Sequence, residues 1–225
     1  MTKKAILGEI EKPDYFQRFI ANISQFYVLN KRKVLTIAAV VILVLMIVVG
    51  WFTYKYYNEK KAWEEYAEIE KTAVLQESAV NSDILIKKYR DLSSKFSGSQ
   101  ASQLSDYRLG NLYFKNNDID SAIKSYEKFI ANASDENEFK VLSYSSLAYC
   151  YESKKDYQKA LKALQQAEKV EAGKYFGTFL YRDMGRLYEK MQNRSEALKF
   201  YRKALEQSID PTVTLFIKRK IATLS

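Results

Sequence analysis

The chain has 225 residues, of which 47% are hydrophobic and 28% charged, so it is not a disordered protein. Seven glycines and two prolines are few for this length, which favours long helices over loop-rich β structure. Histidine is absent and cysteine occurs once, which excludes His-dependent triads, disulfides within the chain and Cys-based zinc sites. The formal net charge of +9 favours anionic surfaces as partners.

Residues 1–33 form the first segment, and their pattern leaves two interpretations open. Pro13 can open a helix, because proline is tolerated in a first helical turn. Apolar residues then recur at helical spacing and form a stripe of Phe16, Phe19, Ile20, Ile23, Phe26 and Tyr27. A stripe of this kind with basic neighbours is typical of an amphipathic helix in the membrane interface. The alternative is a cytosolic tail with scattered apolar residues.

The stretch from Val34 to Thr53 contains no charged residue, and thirteen of its twenty residues are Val, Leu, Ile or Phe. A helix of this length rises about 30 Å, which matches the hydrocarbon core of a bilayer. We therefore predict a single transmembrane helix over residues 34–54. Bulky residues follow it where a signal peptide would have a cleavage site of small residues, so we expect an uncleaved anchor.

The charges that flank this span predict its orientation. Lys31-Arg32-Lys33 adjoins its amino end, and residues 1–33 carry seven Lys and Arg against five in residues 55–87. Because positive flanks stay in the cytoplasm, we expect the N-terminal segment there and the rest of the chain across the membrane. The exit side carries an aromatic belt of Trp51, Tyr54, Tyr56 and Tyr57.

Beyond the span, one motif recurs three times. Its copies are Leu109-Gly110-x-x-Tyr113, Leu147-Ala148-x-x-Tyr151 and Met184-Gly185-x-x-Tyr188, each followed nine residues after the tyrosine by an alanine: Ala122, Ala160 and Ala197. The spacings of 38 and 37 residues fit a helix–turn–helix unit of about 34 residues with short insertions. The pattern resembles the tetratricopeptide repeat, in which small residues let paired helices approach and an aromatic wedge fills the space between them.

Polar turns divide each repeat into two helices. Asn117-Asp118, Lys155-Asp156 and Gln192-Asn193 each place Asp or Asn where it can cap a second helix. We predict first helices near 101–116, 138–153 and 175–191, and second helices near 119–132, 157–171 and 194–208.

The two ends of the repeat array need caps, because a solenoid end exposes apolar surface. Helices predicted over 55–80 and 84–96 form a degenerate pair in residues 55–100, and Ser97-Gly98-Ser99 marks the boundary before the repeats of 101–225. Asp210-Pro211 closes the array, and residues 212–224 form a C-terminal capping helix with Val213, Phe216, Ile217, Ile221 and Leu224 on one apolar face. The predicted fold is all-α: a transmembrane helix followed by a solenoid of helical hairpins.

The sequence offers no catalytic, cofactor-binding or metal-binding site. Its glycines form neither a GxGxxG nor a GxxxxGK phosphate loop. Cys150 has no histidine partner, and its place between two tyrosines indicates core packing. Positive charge is interleaved with acidic residues and no RNA-binding motif occurs. We expect neither an enzyme, nor a nucleic-acid binder, nor a site for a small-molecule substrate.

Protein interaction is the remaining function, because outward positions of the first helices line the concave face of such a solenoid. Spacing from the wedge tyrosines assigns to this face Tyr107, Arg108, Asn111, Phe114, Ser146, Tyr149, Phe179, Arg182 and Arg186. Aromatic and arginine hot spots suit a partner segment that is part apolar and part acidic. The alternative is a merely solvated face. We expect Arg182 and Arg186 to be exposed, so that their replacement shifts stability by only about 0.5 kcal/mol.

The resemblance to tetratricopeptide repeats does not extend to their clamp for acidic carboxyl-terminal tails. That clamp uses two asparagines, two lysines and an arginine. Only Asn111 matches it, and the other positions hold Tyr107, Ser146, Phe179 and Asp183.

The layout of the whole chain resembles the YfgM family of membrane-anchored ancillary subunits of the Sec translocon. The ending Asp210-Pro211-Thr212-x-x-x-x-Ile217-Lys218-x-Lys220-Ile221-x-x-Leu224 is similar to that family's tail. The resemblance implies a bacterial inner-membrane protein whose periplasmic repeats help to handle newly exported chains, with SecYEG and periplasmic chaperones as partners. The alternative is a cytoplasm-facing or envelope-complex assembly scaffold unrelated to secretion.

Overall fold

The computed structural model describes residues 15–75 and 82–225, which are helical and contain no strand. The predicted helix start at Pro13 and the last residues of the helix predicted over 55–80 lie outside these ranges. The described residues form ten α-helices: α1 (Tyr15–Leu29), α2 (Lys31–Leu75), α3 (Ser82–Lys95), α4 (Gln100–Lys115), α5 (Ile119–Asn132), α6 (Glu138–Ser153), α7 (Tyr157–Lys169), α8 (Gly177–Lys190), α9 (Arg194–Glu206) and α10 (Pro211–Leu224).

The chain divides into two units at Tyr56, and the first unit contains α1 and the apolar part of α2. Within the described ranges, α2 is the one helix long and apolar enough to cross a membrane, and none of its apolar stretch is buried. The predicted stripe lies on α1, as the helical spacing requires, and all of its side chains are exposed.

The second unit begins at Tyr57, and its first layer is the pair formed by the end of α2 with α3. Ala62, Tyr66 and Ile69 of α2 are buried in one core with α3 and with Leu109 of α4. The Tyr89 hydroxyl of α3 donates a 2.7 Å hydrogen bond to Glu70 of α2. This pair therefore covers the amino-terminal end of the repeats.

The six helices from α4 to α9 pair as three hairpins, α4 with α5, α6 with α7 and α8 with α9. This arrangement confirms the solenoid of helical hairpins. The residue before each N-cap has a left-handed backbone, with φ of 61°, 61° and 58° at Asn117, Lys155 and Gln192. The side chains of the N-cap residues Asp118, Asp156 and Asn193 accept hydrogen bonds of 3.2, 3.1 and 3.2 Å from the backbone three residues later. The predicted capped turns are thus confirmed in all three repeats.

The connection between α7 and α8 differs from the prediction. Helix α7 ends at Lys169, residues 171–175 form a 3₁₀ turn, and α8 begins only at Gly177. The Ala172 amide donates a 3.3 Å hydrogen bond to the Asp135 carbonyl, which ties this turn to the loop before α6. Because that partner is distant in sequence, local periodicity could not reveal the turn.

The small residues of the first helices face aromatic rings. A Cβ atom at Gly110 would lie 2.5 Å from the ring of Tyr126, and one at Gly185 would lie 2.9 Å from the ring of Tyr201. The repeat pattern predicts that these small residues let the two helices of a hairpin approach, and the alanines of the second helices lie at the same crossing. The structure gives each glycine the tyrosine four residues beyond that alanine, because the ring needs the space that a missing Cβ provides.

The second repeat solves the same packing problem with different residues. Ala148 and Leu164 occupy the positions that hold Gly and Tyr in the other two repeats. Alanine is larger than the glycine that it replaces, and leucine is smaller than the tyrosine that it replaces. The motif alanines have no exposed surface in any repeat: Ala122, Ala160 and Ala197. Their burial agrees with the predicted helix packing.

The wedge tyrosines are partly buried, and two of them also reach the preceding helix. The Tyr113 hydroxyl accepts a 2.6 Å hydrogen bond from Arg90 of α3, and the Tyr151 hydroxyl donates a 3.3 Å bond to Glu127 of α5. The third wedge stacks on an aromatic ring of its own second helix. Tyr113 and Tyr151 therefore link their hairpin to the helix before it, in addition to packing between the two helices of the hairpin.

Helix α10 caps the carboxyl-terminal end, as predicted. The Asp210 carboxylate accepts hydrogen bonds of 2.7 and 3.0 Å from the amides of Thr212 and Val213, and Pro211 occupies the first helical position. Ile217 is fully buried against α9. Phe216 corrects the predicted apolar face, because 44% of its surface is exposed and it points away from this core.

Candidate docking site

Two clefts open beside each other on the face formed by the first helices and α10. The α6–α8 cleft has a volume of about 330 Å³ and is lined by Tyr107, Leu142, Ser145, Ser146, Tyr149, Phe176, Phe179, Leu180, Arg182 and Asp183. The α8–α10 cleft has a volume of about 320 Å³ and is lined by Tyr149, Arg182, Asp183, Arg186, Thr212, Val213 and Phe216. Tyr149, Arg182 and Asp183 belong to both clefts and form the ridge between them.

Asp183 is the centre of this ridge. It is buried, and its carboxylate accepts a 2.7 Å hydrogen bond from the Tyr149 hydroxyl across the gap between α6 and α8. The Nε and Nη2 atoms of Arg182 donate to its other oxygen at 3.1 and 3.0 Å. Burial, together with the neighbouring Asp183 carboxylate, raises the pKa of Tyr149, so this hydroxyl stays protonated and keeps donating.

Arg186 is held by the protein itself, which corrects the expectation that it is exposed. It forms an ion pair with Glu152 of α6, and its Nε lies 3.7 Å from the Asp183 carboxylate. Lys190 also binds Glu152, at 2.6 Å. Burial alone would raise the pKa of Glu152, but the hydrogen bonds from Arg186 and Lys190 outweigh it and hold the pKa below its ordinary value. Arg186 therefore positions α8 against α6.

Arg182 is also less exposed than expected, because 27% of its side-chain surface is accessible, against 29% for Arg186, and it pairs with Asp183. It differs from Arg186 in lining both clefts. Its guanidinium lies over the ring of Phe179, 5.3 Å from the ring centroid, and 48% of the Phe179 surface is exposed. Phe216 lines the second cleft on the other side of the ridge. The site thus presents an arginine between two accessible aromatic rings, one from each cleft.

The site carries a net positive charge. Arg182, Arg186 and Lys190 contribute three positive charges, and Glu152 and Asp183 contribute two negative ones, which leaves +1. A carboxylate from a partner would balance this charge, and a guanidinium can bind a carboxylate through two hydrogen bonds.

The groove residues predicted on α4 have other roles. Arg108 donates to Tyr66 at 3.1 Å and pairs with Glu70 at 2.7 Å, so it fastens α4 to α2. Asn111 accepts a 2.7 Å hydrogen bond from the Tyr126 hydroxyl of its own hairpin. Phe114 is partly exposed but lines neither cleft. These three predicted residues are therefore separated from the ridge.

Tyr107 is the α4 residue that does reach the site. It packs against Phe129 and Phe139 with ring centroids 5.8 and 5.1 Å apart, and it also lines the α6–α8 cleft. The structure adds lining residues that the sequence did not assign to the groove: Leu142, Ser145, Phe176, Leu180, Asp183, Thr212, Val213 and Phe216. Val213 and Phe216 had a sequence signal, the apolar face of α10, but we assigned it to core packing alone.

The described residues contain no arrangement typical of a catalytic or metal site. Cys150 has no exposed surface, and burial raises the pKa of its thiol to about 12, which leaves it unreactive at neutral pH. Within the described ranges, no three acidic or cysteine side chains converge as metal ligands would.

Hairpins stacked into a solenoid, with clefts along the first helices, define a helical-repeat protein of the protein-interaction class. The chain belongs to the family of the tetratricopeptide repeat-like domain, whose model matches residues 26–225. The matched range includes the apolar stretch of α2. No curated protein matches the chain.

Solved structures share the fold at low sequence identity. A crystal structure of the MamA protein is 19% identical with a TM-score of 0.58, and the match covers 73% of this chain and 81% of that one. TPR-like repeats from Podosopora anserina are 14% identical with a TM-score of 0.57, covering 74% and 86% of the two chains. BtubC (BKLC) from P. vanneervenii is 14% identical with a TM-score of 0.53, covering 76% and 82%. These likenesses establish the fold alone.

Proposed function

We propose that the protein is a membrane-anchored docking scaffold that binds a part-apolar, part-acidic segment of another protein in its two clefts. The observation that carries the proposal is the ridge of Tyr149, Arg182 and Asp183, which places Arg182 between two apolar clefts. An extended or helical partner segment can place apolar side chains in both clefts and a carboxylate on Arg182.

The anchoring part of the proposal rests on α2. Its uncharged stretch has the length of a bilayer core, and its apolar side chains are exposed to the surroundings. Apolar surface on all sides of a helix is stable in lipid and costly in water. Trp51 and Tyr54 follow at the far end, where aromatic side chains suit the lipid–water interface.

The cellular role that we propose is assistance to protein export. Lys31-Arg32-Lys33 favours a cytoplasmic amino end for the span and hence a periplasmic repeat domain. The resemblance to the YfgM family supports SecYEG and periplasmic chaperones as partners. Newly exported chains are unfolded and expose apolar segments, which is the chemistry that the clefts fit. The second candidate is an assembly scaffold that is unrelated to secretion, which the same clefts would also serve.

We predict that protease added to bacterial spheroplasts digests residues 55–225 and spares the N-terminal segment. The physical reason is the positive flank of the span, which resists transfer across the membrane. The measurement is immunoblotting with tags at both ends, and detergent-lysed cells serve as the control for intrinsic protease resistance. Protection of the repeat domain in intact spheroplasts would reverse the orientation and favour a scaffold that faces the cytoplasm.

We predict that the double variant Phe179→Ser/Phe216→Ser gives a yield of crosslinked partner in native membranes at least about fivefold below that of the wild type. The reason is that buried aromatic anchors dominate such interfaces. Both rings are half exposed and lie outside the buried core, so the fold should survive. Tyr175→Ser is the matched control, since Tyr175 is an exposed aromatic residue that lines neither cleft.

Partner identification after crosslinking separates the two candidate roles. The export role would be supported if the crosslinked partners whose yield falls in the double variant include translocon subunits or periplasmic chaperones. Envelope-complex components alone would favour the second candidate. Equal yields from the double variant and the wild type, at matched protein levels, would exclude this face as the docking surface.

A further inference from the structure

Helix α1 has one apolar face and one polar face. At 100° per residue, the stripe of Phe16, Phe19, Ile20, Ile23, Phe26 and Tyr27 occupies an arc of about 120°. Arg18, Asn22, Ser24 and Gln25 lie outside that arc. The large apolar residues Tyr15, Val28 and Leu29 also lie outside it, but only at the two ends of the helix. A helix with this division is stable only where one side meets an apolar phase and the other meets water.

The protein itself does not provide the apolar phase within its described residues. The exposed fractions of the six stripe side chains lie between 41% and 69%, and none of the six belongs to a buried core. An apolar surface of this size on a soluble segment marks a contact with something else. The position of α1 in the chain indicates what that contact is.

A single residue separates α1 from the helix that we propose as the anchor. The Asn30 amide donates a 3.0 Å hydrogen bond to the Phe26 carbonyl, and the Val34 amide donates a 2.9 Å bond to the Asn30 carbonyl. The end of the stripe is therefore held within about two helical turns of Val34, the first residue of the uncharged stretch. Lys31, Arg32 and Lys33 lie between them and resist entry into hydrocarbon, so α1 cannot extend the span.

The charges of this segment are all of one sign. From Tyr15 to Asn58 the sequence contains no acidic residue, whereas Arg18, Lys31, Arg32 and Lys33 lie in α1 or beside its end. A protein partner for the stripe would not need this excess of positive charge. Anionic lipid head groups are complementary to it, and each basic residue near such a surface strengthens binding.

We propose that α1 lies in the plane of the bilayer interface, with its stripe in the acyl boundary and its basic residues on anionic lipid head groups. The inference rests on the anchoring role proposed for α2. It assigns residues 15–33 a function that the span alone does not supply, which is preference for membrane regions rich in anionic lipid.

The test uses the full chain with one fluorophore per molecule, coupled to a cysteine at Phe19 (F19C, in the stripe), Gln25 (Q25C, opposite face) or Leu43 (L43C, in the span). Cys150 has no exposed surface, and the unsubstituted chain measures any background labelling. Each protein is reconstituted into vesicles of phosphatidylcholine alone or with 30% phosphatidylglycerol. Iodide present on both sides of the membrane then reports the access of water to each label.

In vesicles with phosphatidylglycerol, we expect the F19C label to be quenched at least about fivefold less than the Q25C label, because only one face enters the lipid. The difference should shrink at least about twofold in phosphatidylcholine alone, where the basic residues lack anionic head groups. The L43C label should be protected in both kinds of vesicle.

The contrary outcomes are distinct. Equal quenching of F19C and Q25C with L43C protected would overturn the interfacial position of α1 and leave the anchor intact. Strong quenching of L43C would overturn the anchor proposed above and, with it, this inference. Identical results in the two kinds of vesicle would overturn the preference for anionic lipid.

Discussion

Replacing Arg186 with glutamate is expected to lower the free energy of unfolding of a 57–225 fragment by about 3 kcal/mol, because it breaks a largely buried ion pair. The Glu152 and Asp183 side chains, which Arg186 neutralises, are only 9% and 7% exposed. The new carboxylate would place a third negative charge beside them. Urea unfolding followed by circular dichroism measures the change.

Arg202→Glu makes the same charge change at an exposed position on α9 and should shift stability by no more than about 0.5 kcal/mol. A small effect of Arg186→Glu, similar to that of this control, would show that Arg186 is exposed after all. The concave face would then offer Arg186 to a partner, as the sequence alone suggested.

The contribution of the Arg186–Glu152 ion pair to the free energy of unfolding should depend on pH. Glu152 has its pKa below the ordinary value of 4.5, so its stabilising contribution is complete above that pH and is lost as the pH falls through the lowered value. Arg186→Met removes one of its two cationic partners. The stability difference between wild type and Arg186→Met should therefore be largest near neutral pH and should narrow in acid.

Gly110→Ala is expected to destabilise the same fragment by about 2 kcal/mol, even though alanine is the better helix former by about 1 kcal/mol. The added methyl group would lie 2.5 Å from the ring of Tyr126. That ring cannot move away easily, because it is buried and its hydroxyl donates to Asn111. Thermal unfolding of the fragment gives the change.

The second repeat provides the control for Gly110→Ala, because it combines Ala148 with Leu164. In a Tyr126→Leu background, Gly110→Ala recreates that combination and should be neutral or stabilising. The double-mutant cycle should therefore yield a coupling of about 2 kcal/mol between the two positions. Equal destabilisation in both backgrounds would show that the tyrosine ring is not what the glycine accommodates.

The sequence predicted the parts of the fold that depend on local signals. The turn at Lys155-Asp156 was predictable because an aspartate that caps a helix bonds to the backbone three residues later, within the same segment. The hairpins followed from the repeat spacing, which places small and aromatic residues at the same offsets each time. Neither inference requires knowledge of which distant segments meet.

The site was predicted less well because side-chain partners across helices are not visible in a sequence. Arg108 and Glu70 are 38 residues apart, and Arg186 and Glu152 are 34 apart. The repeat spacing placed both arginines on the face of the first helices. Only the packed helices show that each arginine forms an ion pair with an acidic residue of another helix. Phe216 shows the reverse error, since an apolar residue on an amphipathic helix can face a cleft instead of the core.

Arg108 of α4 contacts Glu70 and Tyr66 of α2, so the effect of a proteolytic cut in α2 on the repeat domain depends on where the cut falls. Cleavage just before Tyr57 would shed a domain that keeps the whole terminal layer of its core. Cleavage after Leu75 would remove Tyr66, uncover the buried side of α3 and leave Arg108 without its carboxylate partner. A shift of about five helical turns in the position of the cut therefore decides whether the terminal layer of the core stays with the domain or is removed from it.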